Sequence, residues 1–152
     1  MGLDEPLYWD DFTIGRSWRF GSYLVTAQEI VEFAKRYDPM PMHVDPQLAL
    51  ETPLGVFCAS GIHTFGMTQK MLFDHLYRYT RLIAGGEIRR FVMRKPVVPD
   101  DVLQATIEVV SRMKHHKRTN AGWVELHVET TRGQDETVLE FDSRILFERT
   151  PN

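Results

Sequence analysis

The sequence predicts an α+β fold, an antiparallel sheet of about five strands wrapped around one long helix. Three observations carry it. From Val102 to Glu148 polar and apolar residues alternate with a period of two, the strand signature. Between Ile62 and Tyr79 apolar residues recur at helical spacing. No internal repeat or low-complexity tract interrupts the 152 residues, so a single domain is expected over 1–152, with its core at about 8–148.

Taken in order, the first soft end is Met1 to Pro6. Trp18, Phe20, Ser22 and Leu24 alternate with Arg19, Gly21, Tyr23 and Val25 as a strand requires. Thr26 followed by Glu29 forms a capping box, and Ile30, Phe33, Ala34 and Tyr37 then repeat at helical spacing. Pro39 ends that helix at Tyr37 or Asp38, because the residue before a proline avoids helical geometry. Three prolines between Asp38 and Pro46 predict a stiff loop, followed by a short helix around Gln47 to Glu51. Ser60 caps the long helix, whose stripe is Ile62, Phe65, Gln69, Leu72 and Leu76, with Met67 and Met71 on other faces. Glu87 to Met93, Val102 to Met113, Trp123 to Thr130 and Thr137 to Glu148 are the remaining strands, the last three as a meander joined by polar turns. Their inward sets are Leu103, Ala105, Ile107 and Val109, then Val124, Leu126 and Val128, then Leu139, Phe141, Ile145 and Phe147.

Composition narrows the function. At this length folding buries roughly 68–70% of the unfolded surface, enough for a core without staples. The 43% hydrophobic and 26% charged fractions are globular, and no apolar run reaches the about 20 residues of a membrane span. A net charge of −3 disfavours a non-specific nucleic-acid binder. The single cysteine, Cys58, cannot make an internal disulfide or a multi-cysteine zinc site. The acidic, aromatic N-terminus does not resemble a secretory signal, so a reducing cytoplasmic location is expected.

Two places can carry chemistry. Asp38 and His43 are held a short distance apart by the proline-stiffened loop, which gives a carboxylate and an imidazole fixed relative positions for acid–base work. A hydrogen-bonded structural couple is the other reading of that pair. Ser60-Gly61 begins the long helix, where unpaired N–H groups and the positive dipole end can receive a carbonyl oxygen. A plain serine cap with a packing glycine is the alternative there.

The run Asp-x-Met-Pro-x-His-x-Asp at Asp38 to Asp45, followed by Ala59-Ser60-Gly61-Ile62-His63-Thr64, resembles the MaoC-like dehydratases and (R)-specific enoyl-CoA hydratases. The resemblance covers about Tyr8 to Glu148. It implies the hot-dog fold, with a bent antiparallel sheet around one helix, and reversible hydration of a trans-2-enoyl thioester to the (R)-3-hydroxyacyl thioester. It implies Asp38 and His43 as the catalytic pair and the Gly61 N–H as receiver of the thioester oxygen. Asp38 is assigned to activate water, and His43 to hold the water and protonate C2. Ser60, His63 and Met40 are the expected substrate contacts. No cofactor is implied beyond the coenzyme A, or acyl carrier protein, of an acyl-CoA or acyl-ACP substrate, and a homodimer or higher homo-oligomer is expected. Met40 stands where the hydratase loop has Asn, Ser60 where many hydratases have His, and Asp100 where a Pro-Gly-Asp turn has Gly.

Other candidates are weaker. Cys58 reads as packing rather than a nucleophile. His63 lines the pocket or satisfies a backbone carbonyl, and His75 and His127 read as solvated or half-exposed. Two basic clusters, Arg112 to Arg118 and Arg89 to Lys95, either meet the phosphates of coenzyme A or are solvated. A hot-dog thioesterase and a non-catalytic acyl-thioester binding module are the alternative functions. A thioesterase would want its carboxylate on or near the long helix, and Asp74 is too far from Gly61 along that helix to serve easily.

Overall fold

The computed structural model describes residues 5–152. Of the soft N-terminal end, Met1 to Asp4 lie outside the described residues. Five strands, β1 (Ser17–Leu24), β2 (Leu82–Met93), β3 (Val102–Lys114), β4 (Ala121–Arg132) and β5 (Glu136–Glu148), form one sheet in the order β1-β3-β4-β5-β2. Every pairing is antiparallel. The meander β3-β4-β5 is the centre, as its alternation predicts, and β1 and β2 close on its two sides. Helices α1 (Ala27–Tyr37), α2 (Pro41–Val44), α3 (Pro46–Glu51) and α4 (Gly61–His75) complete the domain. With α4 packed against β1, β3 and β5 of the sheet, this is the hot-dog arrangement.

The core lies between α4 and the sheet. Leu103, Ala105, Ile107 and Val109 of β3, Val124, Leu126 and Val128 of β4, and Leu139, Phe141, Ile145 and Phe147 of β5 are all buried. Burying each large aliphatic or aromatic side chain contributes about 1.5–3 kcal/mol. Among the described residues no helix is long and apolar enough to cross a membrane.

Four local expectations are corrected. First, the stretch from Pro41 to Val44 is a turn of helix rather than loop. Proline at the first helical position loses nothing, because that N–H has no partner in the helix, and Pro41 and Pro46 start α2 and α3 in this way. Second, α4 ends at His75, and Tyr77–Tyr79 is a separate 3-10 turn. Its buried face is His63, Thr64, Met67, Thr68, Met71 and Leu72, while Ile62 and Gln69 are exposed. Threonines face the sheet because their hydroxyls are satisfied: Thr68 donates to the Thr64 carbonyl at 2.8 Å and pairs with Thr130 at 2.6 Å.

Third, only half of the capping box forms. Thr26 accepts from the Glu29 N–H at 3.2 Å, but the Glu29 carboxylate accepts from the Tyr23 hydroxyl. Burial, together with that carboxylate, pushes the Tyr23 phenol well above its ordinary range. Fourth, β2 begins five residues before the expected Glu87. Its first half holds Gly85-Gly86, which hides the alternation. At Gly86 a Cβ would lie 2.5 Å from the Trp123 ring, so glycine leaves room on β2 for the indole that reaches it from β4, across β5.

Candidate active site

Three segments meet at the start of α4. Asp38 is the C-cap of α1, and His43 sits on α2 just after the bend at Pro39. Cys58-Ala59-Ser60 runs alongside, with the Cys58 N–H bonded to the Met42 carbonyl at 3.1 Å and the Ala59 N–H to the Val97 carbonyl at 2.8 Å. These backbone bonds set the α2 turn against the start of α4.

The side chains then form one polar chain. Ser60, fully buried, donates its hydroxyl to Asp38 Oδ2 at 2.6 Å and accepts from the Ile62 N–H at 3.3 Å. His43 Nε2 is 3.7 Å from the same Asp38 oxygen. His43 Nδ1 is 2.7 Å from the Cys58 carbonyl, an acceptor only, so Nδ1 carries the hydrogen and Nε2 faces Asp38. The pair is too far apart for a direct hydrogen bond, yet both groups can reach one water oxygen at about 2.8 Å.

Gly61 is the first residue of α4, so its N–H has no acceptor within the helix. It and His43 both line a solvent-open cavity of about 300 Å³. The inner wall is apolar, from Cys58, Ala59, Val97, Val138 and Leu139, and the mouth carries Met93, Arg94 and Lys95. A Cβ at Gly61 would overlap Met93 Sδ, so glycine lets the Met93 side chain lie against the start of α4.

Of the residues singled out in the sequence, Asp38, His43, Ser60 and Gly61 come together. Met40 and His63 do not join them. Met40 is 50% exposed at the N-cap of α2 and does not line the cavity. His63 points away from the cavity, its ring stacked on Phe33 at 4.6 Å and Nε2 3.2 Å from Glu29 Oε1. That contact is misaligned for a hydrogen bond, so both buried ring nitrogens lack partners among the described residues and the expected carbonyl contact is not made. Asp45, the last residue of the loop motif, caps α3 by accepting from the Gln47 and Leu48 N–H groups at 2.7 and 3.1 Å. Burial raises the Cys58 thiol pKa, which fits packing rather than nucleophilic use. The cavity wall from Val97, Val138 and Leu139 was missed, because these residues carry only the apolar pattern of ordinary core. The Arg94-Lys95 charge pair was visible in the sequence, but its place at the mouth was not.

The MaoC like domain model matches residues 11–132, so the chain belongs to the MaoC-like family. It is 32% identical over 140 residues to the uncharacterized protein YdeM of Bacillus subtilis, across 92% of this chain and 98% of that protein. The crystal structure of the MaoC-like dehydratase from Rhodospirillum rubrum superposes with a TM-score of 0.89 at 25% identity, covering 96% of this chain and 99% of that one. The (R)-hydratase from A. caviae involved in PHA biosynthesis shares the fold, with a TM-score of 0.68 at 17% identity over 93% of this chain and 98% of that one.

Proposed function

We propose that this protein reversibly hydrates a trans-2-enoyl thioester to the (R)-3-hydroxyacyl thioester. The observation that carries the reading is the placement of His43 Nε2 and Asp38 Oδ2 3.7 Å apart, beside a cavity that also exposes the N-terminal glycine of α4.

The thioester oxygen accepts from the Gly61 N–H, where the helix dipole favours the negative charge that develops there. Water sits between Asp38 and His43. Asp38 takes a proton from it, and the oxygen adds to C3 as the double-bond electrons move through C2 to the thioester oxygen. His43, as imidazolium, gives the Nε2 proton to C2 as the enolate collapses. Its Nδ1–H stays on the Cys58 carbonyl throughout, which holds the ring in place. Asp38 then returns its proton to His43, leaving one water added and both side chains reset.

Loss of the conjugated enoyl absorbance with a short trans-2-enoyl-CoA tests this. Turnover is expected from the wild type, and at least about 100-fold less from Asp38→Asn and His43→Ala. Near wild-type rates in both folded variants would overturn it. A thioesterase is disfavoured because Asp74 lies at the far end of α4, held by Lys70 at 2.6 Å.

The same reading takes the chain to be a cytoplasmic homodimer. The edge strand β2 leaves Ile88 exposed beside a cavity of about 520 Å³ lined by Phe65 and Gln69 of α4, and such an edge favours pairing with a second copy. Sedimentation as a monomer at micromolar concentration would count against the dimer.

A further inference from the structure

The cavity has a direction. Its inner wall is buried and apolar, whereas Arg94 and Lys95 at the mouth are exposed, Arg94 by 51%. An acyl chain entering with its thioester against Gly61 has its apolar end inside, so the carrier arm must leave past these two cations.

The segment that bears them is rigid. The Arg94 and Lys95 N–H groups both donate to the Val138 carbonyl, at 2.8 and 3.3 Å. The Pro96 carbonyl accepts from Arg132 Nη1 at 2.7 Å, and the Val97 carbonyl from the Ala59 N–H at 2.8 Å, one residue before Ser60. Arg132 is in turn held by Asp101 at 2.7 Å and Glu136 at 2.7 Å. Residues 94–97 therefore tie the mouth to the helix start that carries Gly61. Arg94 shares its guanidinium with Glu140 at 2.9 Å, while Lys95 has no ion-pair partner among the described residues.

The second basic cluster lies elsewhere. Register puts Thr130 opposite Leu139, at the cavity, and Ala121 opposite Glu148, at the β3-β4 turn that carries His115 to Arg118. Nine residues of strand at about 3.4 Å each separate them by about 30 Å within one chain.

We propose that Lys95, with Arg94 beside it, binds a phosphate of the substrate's carrier and thereby fixes the direction in which the thioester enters. The inference rests on the enoyl-thioester reading for the identity of the ligand, but its test does not depend on turnover. A phosphate suits the place: it is the strongest acceptor on such carriers, and an exposed lysine meets it as a point charge with only a small desolvation cost.

The experiment measures calorimetric affinity for three unreactive saturated ligands, butanoyl-CoA, butanoyl-4′-phosphopantetheine and butanoyl-pantetheine, at low salt. Wild type is expected to bind butanoyl-CoA at least about tenfold more tightly than butanoyl-pantetheine, with the gain shrinking as salt rises. Lys95→Glu should erase the gain while leaving butanoyl-pantetheine affinity unchanged, and Lys95→Arg should restore it. A gain already present with the phosphopantetheine ligand places Lys95 on the phosphate common to coenzyme A and acyl carrier protein, and a gain only with butanoyl-CoA places it on the nucleotide phosphates. Equal wild-type affinity for all three ligands overturns the proposal, as does a gain that survives Lys95→Glu or that disappears in Lys117→Glu/Arg118→Glu. If the ligands bind as expected but no enoyl-CoA is hydrated, the binding assignment stands and the hydratase reading falls.

Discussion

The Ser60 hydroxyl donates to Asp38 Oδ2 at 2.6 Å while accepting from the Ile62 N–H at 3.3 Å. One buried oxygen thus caps α4 and holds the carboxylate at the end of α1. The position of Asp38 is coupled to the same helix start that aims the Gly61 N–H. Serine suits this place because its hydroxyl accepts and donates at once, whereas alanine would leave both groups unpaired.

Ser60→Ala is therefore expected to act twice. Stability should fall by about 1–2 kcal/mol through the lost cap and the unpaired carboxylate. Turnover of the enoyl thioester should fall about 10- to 100-fold, with KM little changed, because the carboxylate is free to leave its place beside His43. Thermal melts and steady-state kinetics separate the two effects, and a destabilised variant with wild-type kcat would remove Ser60 from the positioning of Asp38.

Gly61→Ala tests the corner of the cavity where Met93 meets the start of α4. The new methyl group meets Met93 Sδ, but Met93 is 63% exposed and can swing into solvent, so the fold should survive with a loss of about 1 kcal/mol or less. The methyl then sits where the thioester must approach, and turnover should drop at least about 100-fold. Met93→Ala alone leaves that approach open, and Gly61→Ala/Met93→Ala should remain inactive. Recovery of turnover in the double variant would mean that the methionine, and not the approach to the Gly61 N–H, was the obstacle.

The legible parts of this chain were those where one face is dry and the other wet. Strands β3 to β5 alternate almost without fault, and every member of their expected inward sets is buried. The α4 face is harder to read, because polar residues lie on its buried side and Ile62 on its exposed one. Thr64 and Thr68 are buried on bonds to the Ser60 and Thr64 carbonyls that no hydropathy pattern records. His63 escaped for a related reason: it is buried by stacking on Phe33, an aromatic contact across two helices far apart in sequence. In the site, the Asp38–His43 loop and Ser60-Gly61 could be read because their spacing is local. The cavity wall could not, since Val97, Val138 and Leu139 reach it only through the register of the sheet. Asp100 stands between the cases. The substituted turn glycine was noticed, and φ of 71° shows that this residue does adopt the left-handed conformation glycine favours.

His127, expected to be solvated or half-exposed, is half-buried on the outer face of the sheet, with Nδ1 2.7 Å from Asp142 and Nε2 3.3 Å from Glu129. Burial alone would lower its pKa, but the hydrogen bonds and charges of the two carboxylates outweigh it and the net shift is upward. For Asp142, burial opposes a downward shift that the bonds to His127 and Arg90 win. A raised histidine stabilises the fold fully below its unfolded value near 6.5 and loses that contribution as pH rises through the folded value. The lowered Asp142 contributes above its unfolded value near 3.8 and loses that as pH falls through the folded one. The pair is therefore strongest between about pH 4 and 6.5. Tm should decline from pH 6 to 8 in the wild type, and this decline should flatten in His127→Gln. An unchanged slope in the variant would show that His127 does not govern it.

Thr68 and Thr130 join α4 to β4 across the core, and their two hydroxyls have unequal alternatives. Thr68 already donates to the Thr64 carbonyl at 2.8 Å, so the hydrogen of the 2.6 Å bond between the threonines comes from Thr130. Removing Thr130 leaves the Thr68 donor satisfied and costs only an acceptor contact. Removing Thr68 leaves a fully buried Thr130 hydroxyl with no acceptor in place. Thr68→Val should therefore cost about 1–3 kcal/mol and Thr130→Val less than about 1 kcal/mol. The double variant should be no less stable than Thr68→Val alone, because the second change removes the stranded hydroxyl that the first creates. Chemical denaturation of the four proteins measures the coupling directly. Additive losses would mean that the two hydroxyls are not coupled, with Thr130 held by a partner of its own and the helix tied to the sheet by packing alone.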